Sequence, residues 1–233
     1  MEIYTIKILD IDSEQLGNLS LLIDSKRRHR IEKFIRKKDK IRALVGEILI
    51  RSIIIQKFTV NNEDITFNEN FYGKPYLKNF PNVFFNLSHS GDYVVCAFDT
   101  YPVGIDIERV KDIEYMDLAE NFFTKKEYDY IMKGDFNQQL NRFYDIWTLK
   151  ESYIKCSGKG LSVPLKSFSI EINEFKDISI FTDGGYMKHN LRILEIDPGY
   201  RMAICTLNKV THPNITMVNQ KKLIKRYYEI YTK

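Results

Sequence analysis

Apolar residues fall along the chain in two periods, and the predicted elements follow from them. Residues 3–9 alternate in the manner of a strand, with Ile3, Ile6 and Ile8 among polar neighbours. Ile41, Leu44, Val45, Ile48, Leu49 and Ile53 recur at helical spacing and leave Lys40, Glu47 and Arg51 elsewhere on the cylinder. That stripe predicts a long helix packed into a core. A turn-rich stretch follows, with Asn61-Asn62 and then Tyr72-Gly73-Lys74-Pro75. Residues 83–87 and 93–98 read as strands joined by a loop, Ser88-His89-Ser90-Gly91-Asp92, and 103–108 as a further strand. Helices are predicted from about 124 to 131 and about 140 to 156. The second ends at Ser157-Gly158, with glycine where a C-cap favours it. Strands then dominate, over 167–172, 178–181, 191–195 and 200–207, and the tail holds one helix, 220–231.

The two halves echo one another. Tyr93-Val-Val-Cys96-Ala-Phe resembles Tyr200-Arg-Met-Ala-Ile-Cys205, and each half sets a long helix upstream of its strands. This predicts an α+β chain of two similar lobes with a seam near 101–104. The expected divisions are 1–102, 103–212 and a basic tail, 213–233. Chance similarity between short strands is the other reading of the echo.

An apolar share of 44% over 233 residues suffices for a core and excludes wholesale disorder. No stretch approaches the roughly 20 uncharged apolar residues of a membrane span. The start, Met-Glu-Ile-Tyr-Thr-Ile-Lys, lacks the pattern of a secretory leader. Cys96, Cys156 and Cys205 are odd in number and lack metal-ligand spacing, so they are expected as reduced, cytoplasmic thiols. With 35 Lys and Arg against 31 Asp and Glu, the formal charge of +4 is too small to argue for a nucleic-acid binder. Its distribution says more, since ten Lys or Arg residues lie between positions 26 and 42, opposed only by Glu32 and Asp39. That run suits a polyanionic ligand, although on charge alone a solvated helix face is the commoner reading.

Gly104-Ile105-Asp106-Ile107-Glu108 carries candidate chemistry. On a strand, Ile105 and Ile107 enter the core while Asp106 and Glu108 project together from the other face, roughly 7 Å apart at Cα. Two carboxylates so placed suit one hard divalent ion, or simply form an acidic edge. In Trp147-Thr-Leu-Lys150-Glu151-Ser-Tyr-Ile-Lys155, Glu151 and Lys155 are one helical turn apart. They form either a surface ion pair or a carboxylate and a cation facing a phosphate. Gly158-Lys159-Gly160 adds backbone and another cation, but no Walker A loop occurs. The histidines at 29, 89, 189 and 212 are too scattered for a zinc triad. His89, flanked by two serines, is a phosphate contact or only a turn residue.

Taken in order, these motifs, with Phe122-Phe-Thr-Lys-Lys-Glu127, resemble the 4′-phosphopantetheinyl transferases of the larger, surfactin-synthetase-activating (Sfp-type) group. The resemblance covers roughly 3–207. It implies a pseudo-dimeric α+β fold with the active site between two similar lobes. It also implies the reaction: phosphopantetheine passes from coenzyme A to a serine of an apo carrier protein, releasing adenosine 3′,5′-bisphosphate. By that resemblance Asp106, Glu108 and Glu151 match magnesium ligands, Lys155 a diphosphate contact and His89 a phosphate contact. Gly73, Lys74, Pro75 and Ser88 fall where the family holds the nucleotide part of coenzyme A. Arg27 and Arg30 fall near its 3′-phosphate and Arg42 near a further contact, with a register that could slip to Lys26 or His29. Glu127 matches an acidic position expected at or near the metal.

The expected mechanism is charge neutralisation around a diphosphate, with Glu151 taking the carrier serine's proton directly or through water. Expected partners are coenzyme A and apo peptidyl or acyl carrier proteins, without nucleic acid or membrane, and the chain is expected to act as a monomer. The segment 112–124, with Tyr115, Met116 and Leu118, is either a carrier-docking surface or core. The alternatives are a nucleic-acid-binding module on the basic run and a carrier-binding relative that has lost catalysis. The first leaves Asp106, Glu108 and Glu151 without a purpose, since carboxylates repel phosphates unless a metal intervenes.

Overall fold

The chain is seen in a computed structural model that describes residues 1–209 and 213–231. His212, the expected lobe end at 212, and 232–233 lie outside them. The element order repeats. The first half runs β1 (Glu2–Lys7), α1 (Ser13–Ser20), α2 (Ser25–Glu32), α3 (Lys37–Phe58), β2 (Phe67–Glu69), β3 (Pro75–Leu77), β4 (Phe84–Ser90) and β5 (Tyr93–Asp99). The second runs β6 (Val103–Arg109), α4 (Tyr115–Phe122), α5 (Lys125–Ile131), α6 (Phe136–Ser157), β7 (Phe168–Ile172), β8 (Ile178–Thr182), β9 (Gly185–Met187), β10 (Asn190–Leu194) and β11 (Tyr200–Thr206). Within each half the last strand is central: β5 lies antiparallel between β1 and β4, and β11 antiparallel between β6 and β10. The molecule is therefore two like α+β lobes in one chain.

Burial explains the sequence pattern. Every residue of β5 is buried, because Cys96 and Phe98 face the helices of the first lobe while Tyr93, Val95 and Ala97 face the second lobe. A strand covered on both faces reads as a continuous apolar run. The core shared by the lobes takes Ile3, Val103, Ile105, Ile107, Met202 and Ile204 alongside those three.

Besides α1, α2, α4, β2, β3 and β9, which the pattern does not predict, two features differ from the expected elements. The loop 88–92 shrinks to a two-residue turn, Gly91-Asp92, because β4 continues through Ser90 and pairs Ser90 with Tyr93. Gly91 has φ +56°, and a Cβ there would lie 2.3 Å from the Tyr200 hydroxyl, so glycine is required. Ser88 and Ser90, which suggest a loop, face the seam instead, together with Asn86. Asn86 Oδ1, Ser88 Oγ and Ser90 Oγ accept the backbone N–H groups of Ile105 (2.8 Å), Ile107 (3.4 Å) and Arg109 (3.1 Å). Alternate side chains of β4 thus stand in for a backbone ladder between the lobes.

The tail is the second difference. Besides the expected helix α7 (Gln220–Tyr231), it supplies β12 (Asn214–Met217), which pairs parallel with β1. Leu223, Ile224 and Tyr227 of α7 are buried in the first lobe's core. The last segment of sequence thus folds onto the first.

Candidate active site

β6 and α6 build the site. Ile105 and Ile107 are fully buried in the shared core, so Asp106 and Glu108 emerge on the opposite face, toward α6. Gly104 lets that helix come close: a Cβ there would lie 2.0 Å from the Ser152 carbonyl oxygen and 2.4 Å from the Cys156 nitrogen. On the helix laid against it, Lys155 Nζ reaches Asp106 Oδ1 at 2.6 Å, Ser88 Oγ at 3.0 Å and the Ile105 carbonyl at 3.3 Å. Ser88 donates to the same Asp106 oxygen at 2.8 Å. Asp106 Oδ2 is buried and has no hydrogen-bond partner. Ser90 donates to Glu108 Oε2 at 2.7 Å.

Glu108 and Glu151 feel the acids beside them. Burial, and next the Asp106 charge, push Glu108 above the ordinary carboxylate range; Glu151 adds to this, while the Ser90 hydrogen bond and Lys155 oppose it. Burial and Asp106 likewise raise Glu151 against the pull of Lys155. Among the described residues, no three His, Cys, Asp or Glu side chains form a ready cage for a metal.

His89 lies on β4, accessible to solvent. Packing of protein around the ring, then the Arg42 charge, lowers its pKa from the ordinary imidazole value. Arg42 donates to the Gly91 carbonyl at 2.6 Å and pairs with Asp39, leaving its buried Nε without a partner. On another side of the seam, the turn between β2 and β3 meets the end of α6. Asn70 Oδ1 accepts from the Tyr72 and Lys74 N–H groups, and its amide donates to the Gly158 carbonyl at 2.7 Å. Gly73, at φ +83°, takes the left-handed position of this turn and Pro75 opens β3. Arg27 lies over the Phe67 ring and 3.7 Å from Glu47, and Arg30 pairs with Glu69 at 3.1 Å, so both arginines hang over β2.

Two family models tile most of this architecture. Residues 12–101 match that of the 4′-phosphopantetheinyl transferase N-terminal region, and 102–205 that of the 4′-phosphopantetheinyl transferase superfamily. The 4′-phosphopantetheinyl transferase Sfp of Bacillus subtilis is 38% identical over 96% of this chain and 100% of its own. The transferase gsp of Aneurinibacillus migulanus is 36% identical over 94% of this chain and 92% of its own. This chain belongs to the 4′-phosphopantetheinyl transferases.

Not every matched motif position of the transferase is at the seam. Glu127 is the clear correction: it is fully buried in the second lobe, 2.7 Å from an equally buried Lys150. Its carboxylate caps α5 through Thr124 and accepts the Ile170 N–H at 2.7 Å, so it has no place at a metal beside Asp106. The Thr124-x-x-Glu127 spacing, a capping box, was the sequence signal for that role. Lys74 is half-buried and points inward, donating to the carbonyls of Val103 (3.0 Å) and Lys155 (2.5 Å). Burial lowers its pKa, and it clasps the lobes rather than standing free for a nucleotide. In the segment 112–124, Tyr115 is core and hydrogen-bonded to Gln139, and Leu118 is half-buried; Met116 and Phe122 are exposed. Sequence reasoning misses Asn70, whose Asn-x-x-Gly spacing marks the turn, and Ser90, which the pattern places in a loop.

Proposed function

We propose that Asp106, Glu108 and Glu151 hold a magnesium ion against the diphosphate of coenzyme A, at a site made from both lobes. The reaction itself follows from family membership: phosphopantetheine passes from coenzyme A to a carrier protein. The observation that carries the metal reading is the buried Asp106 Oδ2, an unpartnered carboxylate oxygen in a cluster of three acids. Oxygen donors suit magnesium, which takes one or two protein carboxylates and completes its shell with water and substrate phosphate. A complete protein cage is therefore not required. When bound, the ion supplies charge neutralisation at the diphosphate.

The chain's own groups do the rest. Glu151, with its raised pKa, takes the proton of the carrier serine hydroxyl directly or through a water. Lys155 moves from Asp106 to the departing phosphate. Arg27 and Arg30 face the 3′-phosphate, and Arg42 a further part of coenzyme A. Gly73, Pro75 and Ser88, with Lys74 fixing their turn, border the nucleotide. Met116 and Phe122 of α4 offer an apolar contact for the carrier domain. The reading is of a monomer, since one chain provides both lobes, acting in the cytosol, where the three buried, unpaired thiols would stay reduced. No helix among the described residues is long and apolar enough to cross a membrane. Half of the basic run is met by acids, Lys37 on Asp10 and Lys38 on Asp92 among them, which favours a small anionic ligand over a nucleic acid.

Metal removal is the test. With coenzyme A and an apo carrier, transfer should stop in EDTA and return when magnesium is added in excess. Equal rates with and without chelator would remove the metal from the reading. His89 gives an independent check. A neutral imidazole that meets a phosphate gains a proton, so the affinity it contributes should grow as pH falls through the bound-state pKa. His89→Ala should weaken coenzyme A binding about tenfold at pH 6 and by less at pH 8, measured calorimetrically. An unchanged dissociation constant at both pH values would take His89 off the phosphate.

A further inference from the structure

β4 presents three side chains to β6 at alternate positions, and they are not equivalent. Asn86 accepts the Ile105 N–H at 2.8 Å, a backbone partner rather than a carboxylate. Ser88 touches both Asp106 and Lys155, so it belongs to the machinery already described. Ser90 accepts the Arg109 N–H at 3.1 Å and donates to Glu108 Oε2 at 2.7 Å. Its single hydroxyl is thus fixed twice. The backbone of β6 sets where the oxygen sits, and the remaining proton is directed at one carboxylate oxygen of Glu108. That leaves Glu108 Oε1 as the oxygen free to take a ligand. The serine comes from the first lobe and the glutamate from the second, so the contact reads the alignment of the lobes.

Building on the proposed role of Glu108 as a metal ligand, we infer that Ser90 is a positioning residue, which orients Glu108 across the seam for the metal–diphosphate complex. Partners that orient ligating carboxylates commonly contribute about 10–100-fold in metal affinity. A residue that only stitches two strands together would act on stability and leave metal affinity alone. Asn86 supplies that comparison within the same strand.

The test is calorimetric titration of Mg2+ into the protein saturated with coenzyme A, without carrier, alongside thermal denaturation. Ser90→Ala should weaken Mg2+ affinity about 10–100-fold with a small change in melting midpoint. Ser90→Thr, which keeps the hydroxyl, should restore affinity to within about threefold. Asn86→Ala should lower the midpoint and leave Mg2+ affinity near wild type. Wild-type affinity in Ser90→Ala, while Glu108→Gln loses binding, would overturn the positioning role and leave the Glu108 reading standing. Wild-type affinity in Glu108→Gln would overturn both. Equal losses in Ser90→Ala and Asn86→Ala, each with a matching fall in midpoint, would reduce Ser90 to a seam contact.

Discussion

Glu151→Gln should lower phosphopantetheinyl transfer by about 10²–10⁴-fold, the range expected for removal of a general base. The glutamine keeps the shape and one carbonyl oxygen, so coenzyme A binding should fall far less than turnover. The effect on stability has a definite sign. Burial and the neighbouring Asp106 make the ionised Glu151 unfavourable in the folded protein, as its raised pKa records. A group with a raised carboxylate pKa destabilises the fold above that pKa, relative to lower pH. A neutral amide removes this liability, so the melting midpoint at pH 7 should hold steady or rise. Initial rates with an apo carrier and a thermal melt decide the matter. Turnover within a few-fold of wild type would remove Glu151 from the chemistry, and a collapsed melt would mean the loss was structural.

Lys150→Met should be among the most destabilising single changes in the second lobe. Lys150 and Glu127 are completely buried 2.7 Å apart. The ammonium also donates to the Leu165 and Phe168 carbonyls at 2.8 and 2.7 Å and lies 4.0 Å from the Phe168 ring centroid. Removing one partner of such a pair strands the other charge, at a cost of about 3–5 kcal/mol. For a chain of this length that corresponds to a fall in melting midpoint of about 6–20 °C. Lys150→Met with Glu127→Gln should recover part of the loss, because no charge is stranded and the amide oxygen keeps one of the two N–H contacts, which Thr124 and Ile170 make to different carboxylate oxygens. A midpoint within a degree or two of wild type for Lys150→Met would show the pair to be solvated in solution.

How much of this was legible depended on the range of the interactions. The period-2 placement of Asp106 and Glu108 opposite Ile105 and Ile107 is a local backbone property, and it holds because the isoleucines have a core to enter on the far side. The α3 stripe and the glycine that ends α6 were local too. Gly158 occupies its C-cap at φ +70°. What stayed hidden was polar residues whose partners lie far away in sequence. Ser88 and Ser90 resemble turn residues until β6, 19 positions on, supplies the N–H groups they accept. Lys74 resembles a free cation beside a flexible glycine until the end of α6 offers it a carbonyl 81 positions away. Lys150 and Glu127 were overlooked or misplaced because a buried charge pair has no periodicity of its own. The tail strand β12 is exposed along its length and short, so only the open edge of β1 explains it.

The most direct measurement is the intact mass of an apo peptidyl carrier domain after incubation with this protein, coenzyme A and magnesium. A gain of one phosphopantetheinyl group on the carrier serine, with an equal amount of adenosine 3′,5′-bisphosphate released, is the predicted result. A folded protein that leaves both peptidyl and acyl carriers at their apo mass would contradict it.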